Sequence, residues 1–91
     1  QLNVYMVDIQ QFFVKSDDGT LTFMIDLNIT LDQLKDIIEK RINYPKNIYF
    51  LKYNGHGMYE NKTLKEYKIQ KDGTIHICVR NMGKAMPNIV L

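Results

Sequence analysis

The chain has 91 residues, of which 45% are hydrophobic and 24% are charged, a size and composition that fit one globular domain and exclude disordered and wholly hydrophobic classes. No apolar run approaches the roughly 18 residues that a membrane-spanning helix needs, and no signal peptide is visible. The formal net charge is only +2 and the longest basic cluster is Lys40-Arg41, which disfavours nucleic-acid binding.

The first predicted element is a β-hairpin. Residues 11–16 alternate between two faces, with Phe12 and Val14 on one of them, which predicts a strand. An Asp-Gly pair follows at residues 18–19, and it is a strong hairpin signal because glycine tolerates positive φ. Residues 20–26 alternate again and predict a second strand, with one face formed by Leu21, Phe23 and Ile25.

An amphipathic helix follows the hairpin. Thr30 is a good N-cap and Gln33 lies three residues later, which is the capping-box pattern. We expect the helix to end near Asn43, because the residue before Pro45 disfavours the helical conformation. Apolar residues at helical spacing predict one buried stripe on a helix of about three turns; they are Leu31, Leu34, Ile37, Ile38 and Ile42.

Short elements come after the helix. Residues 48–53 predict a strand rich in aromatic residues, and residues 54–57 predict a turn. Met58 would then open a very short strand. Residues 63–67 are typical of a single helical turn that begins with a threonine cap.

A final strand is predicted over residues 74–80, after a turn at residues 71–73. The first and last strands are expected to be parallel neighbours, because this arrangement buries the single apolar face of the helix. The sequence therefore predicts an α+β fold of the β-grasp kind, with a mixed sheet of four to five strands wrapped on one helix. In the last strand, Ile75, Ile77 and Val79 alternate with His76, Cys78 and Arg80.

Three segments of the chain resemble the ubiquitin family. Residues 11–15, Gln-Phe-Phe-Val-Lys, are similar to its first strand, and residues 74–77, Thr-Ile-His-Ile, to its last strand. Residues 63–71, Thr-Leu-Lys-Glu-Tyr-Lys-Ile-Gln-Lys, resemble its T-L-x-D-Y-N-I-Q-K segment, which is not a generic amphipathic pattern. The resemblance implies an N-terminal extension at residues 1–9, a ubiquitin-like domain at residues 10–83 and a tail or linker at residues 84–91.

The resemblance implies that the domain acts by binding other proteins through its surface. The apolar recognition patch of the family corresponds here to the Asp17-Asp18 turn and to Lys52, His76 and Cys78, so charges replace two aliphatic anchors. Because losing such an anchor costs about 2 kcal/mol or more, we expect ordinary ubiquitin receptors to bind poorly. The expected docking face is mixed aromatic and basic, with an ordinary solvated face as the alternative; it comprises Phe50, Lys52, His76, Cys78 and Arg80.

A second interaction surface of the family matches the chain residue by residue. Its matching positions are Gln11, Phe13, Thr20 and Thr22. An aromatic side chain on the solvent face of a sheet can anchor a partner. The alternative is that Phe13 packs on the additional N-terminal residues, whose alternating apolar side chains could add an edge strand.

The C-terminal segment distinguishes two functions. A conjugated modifier ends in Gly-Gly, because only an unbranched terminus threads the channels of activating and deconjugating enzymes. Arg80 matches the arginine that activating enzymes recognise, but only Gly83 remains and Lys84 takes the terminal position. We therefore favour a linker, or the cut edge of a larger protein, over a modifier trimmed to Gly83.

The sequence offers no recognisable catalytic or metal-binding pattern, so we expect no enzyme activity and no cofactor. Neither His56 nor His76 has a cysteine or carboxylate at ligand spacing. Cys78 lies two residues from His76, but a reactive cysteine needs a concave, electropositive site that a single convex sheet does not provide. As the only cysteine, Cys78 cannot form an internal disulfide, which favours a cytoplasmic or nuclear location.

The resulting hypothesis is a ubiquitin-like interaction module that docks onto a partner protein in ubiquitin-related signalling or degradation and is not itself conjugated. We expect a monomer that binds protein partners and does not contact membranes. One alternative is a modifier conjugated through Gly83 after removal of residues 84–91. The other is a nucleic-acid-binding β-grasp domain that uses Lys52, Arg80 and the aromatic residues.

Overall fold

The computed structural model describes residues 7–80. Over this range it contains one α-helix packed on one mixed sheet, which confirms the predicted α+β fold class. A 3₁₀ turn at Lys46–Ile48, absent from the sequence prediction, precedes the third strand. The elements in chain order are β1 (Ile9–Ser16), β2 (Gly19–Asp26), α1 (Leu31–Ile42), β3 (Tyr49–Tyr53), β4 (His56–Met58) and β5 (Thr74–Val79).

The sheet has five strands in the order β2-β1-β5-β3-β4. β1 pairs antiparallel with β2 and parallel with β5, as the sequence predicted for the first and last strands. β5 also pairs antiparallel with β3, and β3 with β4. The last strand of the chain therefore lies in the middle of the sheet and joins the two hairpins.

The helix begins and ends as its sequence predicts. The Thr30 hydroxyl accepts a hydrogen bond from the Gln33 backbone N–H at 3.2 Å, and the Gln33 side chain accepts one from the Thr30 N–H at 2.9 Å. At the other end, Asn43 adopts the left-handed conformation with φ 60° and donates its N–H to the Glu39 carbonyl at 2.8 Å. Asparagine tolerates this conformation, so the two caps fix the helix length.

The core lies between α1 and the inner face of the sheet. The Phe12 and Phe23 rings stack with their centroids 5.9 Å apart, so the β1–β2 hairpin closes one end of this layer. Tyr49 is also fully buried, with its hydroxyl 3.4 Å from the Lys35 carbonyl. The completely buried side chains are Phe12, Leu34, Ile38, Tyr49, Leu51, Leu64 and Ile75.

The segment at residues 63–67 forms the single capped turn that its sequence predicts. Thr63 and Glu66 form the reciprocal cap, with the Thr63 N–H donating to the Glu66 carboxylate at 2.9 Å. The Tyr67 N–H donates to the Thr63 carbonyl at 3.1 Å, which closes one helical turn. The Leu64 N–H, which has no partner within such a turn, donates to the Ile29 carbonyl at 2.9 Å. These bonds anchor the segment to the entrance of α1 and bury Leu64 beneath it.

Two predicted boundaries are wrong around β3 and β4. Ile48 belongs to the 3₁₀ turn, so β3 begins one residue later than predicted. His56 and Gly57 belong to β4, because the turn needs only Asn54 and Gly55, which have φ values of 54° and 81°. Two consecutive residues with positive φ match the right-handed twist of a tight hairpin.

Val79 lies on the same face of β5 as Ile75 and Ile77, as its alternation predicts, but it differs from them in burial. Val79 is 48% exposed, whereas the other two are buried. β1 pairs with β5 only over Thr74–His76 and ends at Ser16. The end of β5 therefore has no neighbour on that side to cover Val79.

Truncation of Leu64 should destabilise the fold strongly. Because the side chain is fully buried, we expect Leu64→Ala to lower the free energy of unfolding by about 2–5 kcal/mol. Met24→Ala is the control: Met24 is 67% exposed, and its loss should change stability by less than about 0.5 kcal/mol. Chemical denaturation measures both values, and similar values for the two variants would contradict the core assignment.

Tyr49 should make the fold sensitive to alkaline pH. Burial raises the pKa of the Tyr49 hydroxyl to about 12 from an ordinary value of 10.0. Its stabilising contribution is complete below the ordinary value and is lost as the pH rises toward 12. The free energy of unfolding should therefore fall by about 2–3 kcal/mol across this window. Denaturation at several pH values should show a smaller fall in Tyr49→Phe, and identical profiles would refute the assignment.

Candidate functional site

The outer face of the sheet carries a row of basic side chains across three strands. Lys15 of β1 pairs in register with His76 of β5, and His76 pairs with Lys52 of β3. Because neighbouring strands lie about 4.8 Å apart, the backbones of Lys15 and Lys52 are separated by about 10 Å. We call Lys15, His76 and Lys52 the basic row.

An aromatic row runs beside the basic row. Cys78 pairs with Phe50 in register, and the ring of Tyr59, just after β4, stacks on Phe50 with centroids 5.7 Å apart. Tyr59 is 68% exposed, so the pair presents aromatic surface to solvent. We call Cys78, Phe50 and Tyr59 the aromatic row; it lies two residues along each strand from the basic row, about 7 Å away.

Arg80 completes this part of the face. Its guanidinium lies over the Phe50 ring at 5.7 Å from the centroid, and its backbone N–H donates to the Ile48 carbonyl at 2.7 Å. Burial lowers the pKa of the Lys35 ammonium, and the positive charge of Arg80 lowers it further. The charge of Arg80 is therefore felt at Lys35 on α1, beyond the edge of the sheet.

The five residues of the predicted docking face are thus brought together. His76 and Arg80 are exposed, whereas Phe50, Lys52 and Cys78 are half-buried, as expected for neighbours on a sheet surface. The Asp17-Asp18 turn lies apart from them at the hairpin tip, where the Tyr44 hydroxyl donates to the Asp18 carboxylate at 3.2 Å.

The second predicted surface occupies the other half of the same outer face. Phe13 lies between Thr22 of β2 and Thr74 of β5 and is half-buried. Gln11 donates its side-chain amide to the Asp72 carboxylate at 2.9 Å, and Thr20 pairs with Lys15. Lys15 therefore joins the two predicted surfaces into one continuous face.

Tyr59 is the residue that sequence reasoning missed. Its ring lies across Gly57, where an added Cβ would be only 2.5 Å from the Tyr59 hydroxyl oxygen. A glycine within a strand often marks a close approach by another group, so Gly57 was the available signal. The sequence prediction placed Gly57 in a turn, where glycine is common, and therefore did not predict this contact.

The remaining sequence predictions concern chemistry and the chain ends. His76 and Cys78 both lie on the open outer face, and within residues 7–80 no group of three or more His, Cys, Asp or Glu side chains is arranged to hold a metal ion. That same range contains no helix with the length and apolar character needed to cross a bilayer. Gly83 and the proposed edge strand near the N-terminus lie outside the described residues.

Comparison with protein families gives a match over most of the chain. The model of the ubiquitin family matches residues 12–82, more than three quarters of the chain. The match includes the helix, four complete strands and most of β1. Both rows of the outer face lie within it.

Adding a methyl group at Gly57 should displace the Tyr59 ring. The added Cβ would overlap the ring, and because Tyr59 is exposed the ring can swing away at little cost in stability. We expect Gly57→Ala to change the free energy of unfolding by less than about 1 kcal/mol and to remove the ring-current shift of Tyr59 on Phe50. Proton NMR tests this, with Tyr59→Ala as the reference, and an unchanged Phe50 spectrum in Gly57→Ala would contradict it.

Proposed function

Because the chain belongs to the ubiquitin family, we propose that it is a protein-interaction module that docks onto partner proteins through the outer face of its sheet. The docking half of that face is centred on the aromatic row and Arg80. The proposal places the chain in ubiquitin-related signalling or degradation. It assigns the chain no catalytic step and no cofactor.

The observation that carries the proposal is the exposed contact of Tyr59 on Phe50 with Arg80 over the same ring. Tyrosine and arginine are enriched among the residues that dominate binding energy at protein interfaces. Stacking holds the Phe50 and Tyr59 rings in place before binding, so less side-chain entropy is lost on association. A surface with this composition and pre-organisation favours docking over a merely solvated face.

The Phe13 half of the face is the weaker candidate for the main contact. Phe13 is half-buried between two threonines, and Gln11 is held by Asp72, so neither side chain projects as far as Tyr59. We therefore assign this half a supporting role.

The modifier alternative depends on the C-terminal segment. Arg80 is exposed, as recognition by an activating enzyme would require. Conjugation would also need a free carboxylate at Gly83, and a version of the chain that ends at Gly83 would then form a thioester with an activating enzyme. Formation of that thioester would replace the docking proposal by the modifier hypothesis.

The docking proposal is tested by substitutions in the aromatic row. Proteins retained from a cell extract by the wild-type chain are identified, purified and measured for affinity. Tyr59→Ala and Arg80→Ala should each weaken binding by about tenfold or more, because central aromatic and arginine contacts are typical hot spots. Met24→Ala on the same face, but outside the aromatic row, is the matched control.

The substitutions that weaken binding show which half of the outer face the partner contacts. Loss of binding in Tyr59→Ala and Arg80→Ala, with Met24→Ala unchanged, supports docking at the aromatic row. Loss confined to Phe13→Ser would move the interface to the other half of the face. A partner that binds all variants equally would reject the outer face as the docking surface.

A further inference from the structure

The outward strand positions of the outer face carry charges of almost one sign, although the Asp72 carboxylate in the turn before β5 contacts the outward Gln11 amide. The outward strand positions of β1, β5, β3 and β4 carry Lys15, His76 and Lys52 but no carboxylate. Among outward strand positions, only Asp26 is acidic; it lies at the far end of the edge strand β2 and accepts a hydrogen bond from the Asn28 backbone N–H at 2.9 Å. The basic row therefore has no acidic neighbour across the strands.

The lysines and the arginine of this face have no ion-pair partner within residues 7–80. The four salt bridges in that range involve Lys46, Lys62 and Lys65, whose partners lie on the helix, in the loop before residue 63 or at Asp8. Lys15, Lys52 and Arg80 take part in none of them. Their charges are therefore available to an incoming anionic group.

The strand register arranges these basic side chains in a straight line. Lys15, His76 and Lys52 stand at the same level on three adjacent strands, so the basic row runs across the strands rather than along one of them. The aromatic row runs parallel to it about 7 Å away. A ligand that crosses the sheet would meet basic side chains on one side and aromatic surface on the other.

We infer that the partner contacts this face with an acidic segment that lies across the strands, its carboxylates on the basic row and Arg80 and an apolar side chain on Phe50 and Tyr59. This inference rests on the proposed docking function and adds the chemistry of the partner. Charge complementarity of this kind contributes more to the rate and specificity of association than to the affinity itself.

A protein segment fits the face better than a nucleic acid does. Proteins that bind duplexes tightly neutralise about 6–10 phosphates, whereas this face offers Lys15, Lys52 and Arg80 as permanent cations. Within residues 7–80 the outer face offers only three aromatic side chains, Phe13, Phe50 and Tyr59, and the chain as a whole carries a net charge of only +2. A short acidic segment needs no more cations than these.

The experiment titrates the whole chain with a synthetic fluorescent peptide, Glu-Glu-Leu-Glu-Glu-Leu-Glu-Glu. Amide NMR maps the contact and fluorescence anisotropy gives the affinity. We expect shifts at Lys15, Lys52, His76 and Phe50 and an affinity that falls as salt is added. The peptide with lysine in place of every glutamate and a single-stranded RNA of similar length serve as comparison ligands.

Charge reversal provides the matched variants. Lys52→Glu should weaken peptide binding by about tenfold at low salt, since an attraction becomes a repulsion. Lys40→Glu makes the same change in net charge on the exposed side of α1 and should change the affinity by less than about twofold. Lys52→Gln should give an intermediate loss, and this separates charge from any effect of Lys52→Glu on folding.

The outcomes separate this inference from the docking function. Failure of the acidic peptide to bind, or equal weakening by Lys52→Glu and Lys40→Glu, would overturn the inference. RNA that binds more tightly than the peptide and displaces it would also overturn it, in favour of a nucleic-acid partner. A partner that requires Tyr59 and Arg80 but not Lys52 would leave the docking function intact and reject only the acidic segment.

Discussion

The pairing of β5 between β1 and β3 is the interaction on which the rest of the structure depends. It joins residues about sixty positions apart, with the Phe13 N–H donating to the Gly73 carbonyl at 2.8 Å and the Asp72 N–H to the Gln11 carbonyl at 2.7 Å. Without this parallel pairing the sheet would divide into the β1–β2 hairpin and a three-stranded piece of β5, β3 and β4, and neither could cover the apolar stripe of α1 alone. Parallel pairing needs a long connection, and the helix together with β3, β4 and the turns supplies it.

Because the helix packs against the inner face of the sheet, the outer face is open to solvent and to binding partners. The helix covers only the inner face, where Leu34 and Ile38 are fully buried, so every second strand residue faces solvent. β5 then determines what the outer face contains, because its residue His76 lies between Lys15 and Lys52. The pairing that closes the core is thus the same pairing that aligns the basic row.

The two interaction surfaces implied by the family resemblance prove to be halves of one face. Along the chain their residues lie far apart, yet Lys15 borders Thr20 on one side and His76 on the other. An open sheet face suits contact with another macromolecule better than it suits chemistry on a small substrate, which needs a concave site. This geometry explains why binding accounts for the exposed aromatic and basic residues better than catalysis does. The cytoplasmic or nuclear location and the monomeric state remain predictions from the sequence.

The sequence by itself determined the elements that depend on local chemistry. The Thr30–Gln33 cap, the Asp-Gly hairpin and the alternation in β1 and β2 are local patterns, and the structure contains each of them. Local pattern did not determine features that depend on distant residues. Val79 alternates correctly but is exposed, since β5 runs beyond the end of β1, and the N–H groups of Leu64 and Lys65 donate to carbonyls at the entrance to α1. The candidate site was also only partly predictable from local pattern. The alternation of residues within each strand was enough to place Phe50, Lys52 and His76 on one face of the sheet. Only the tertiary structure brought Lys15 into register with His76 and laid Tyr59 on Phe50 across Gly57, because both contacts depend on strand order rather than on spacing along the chain.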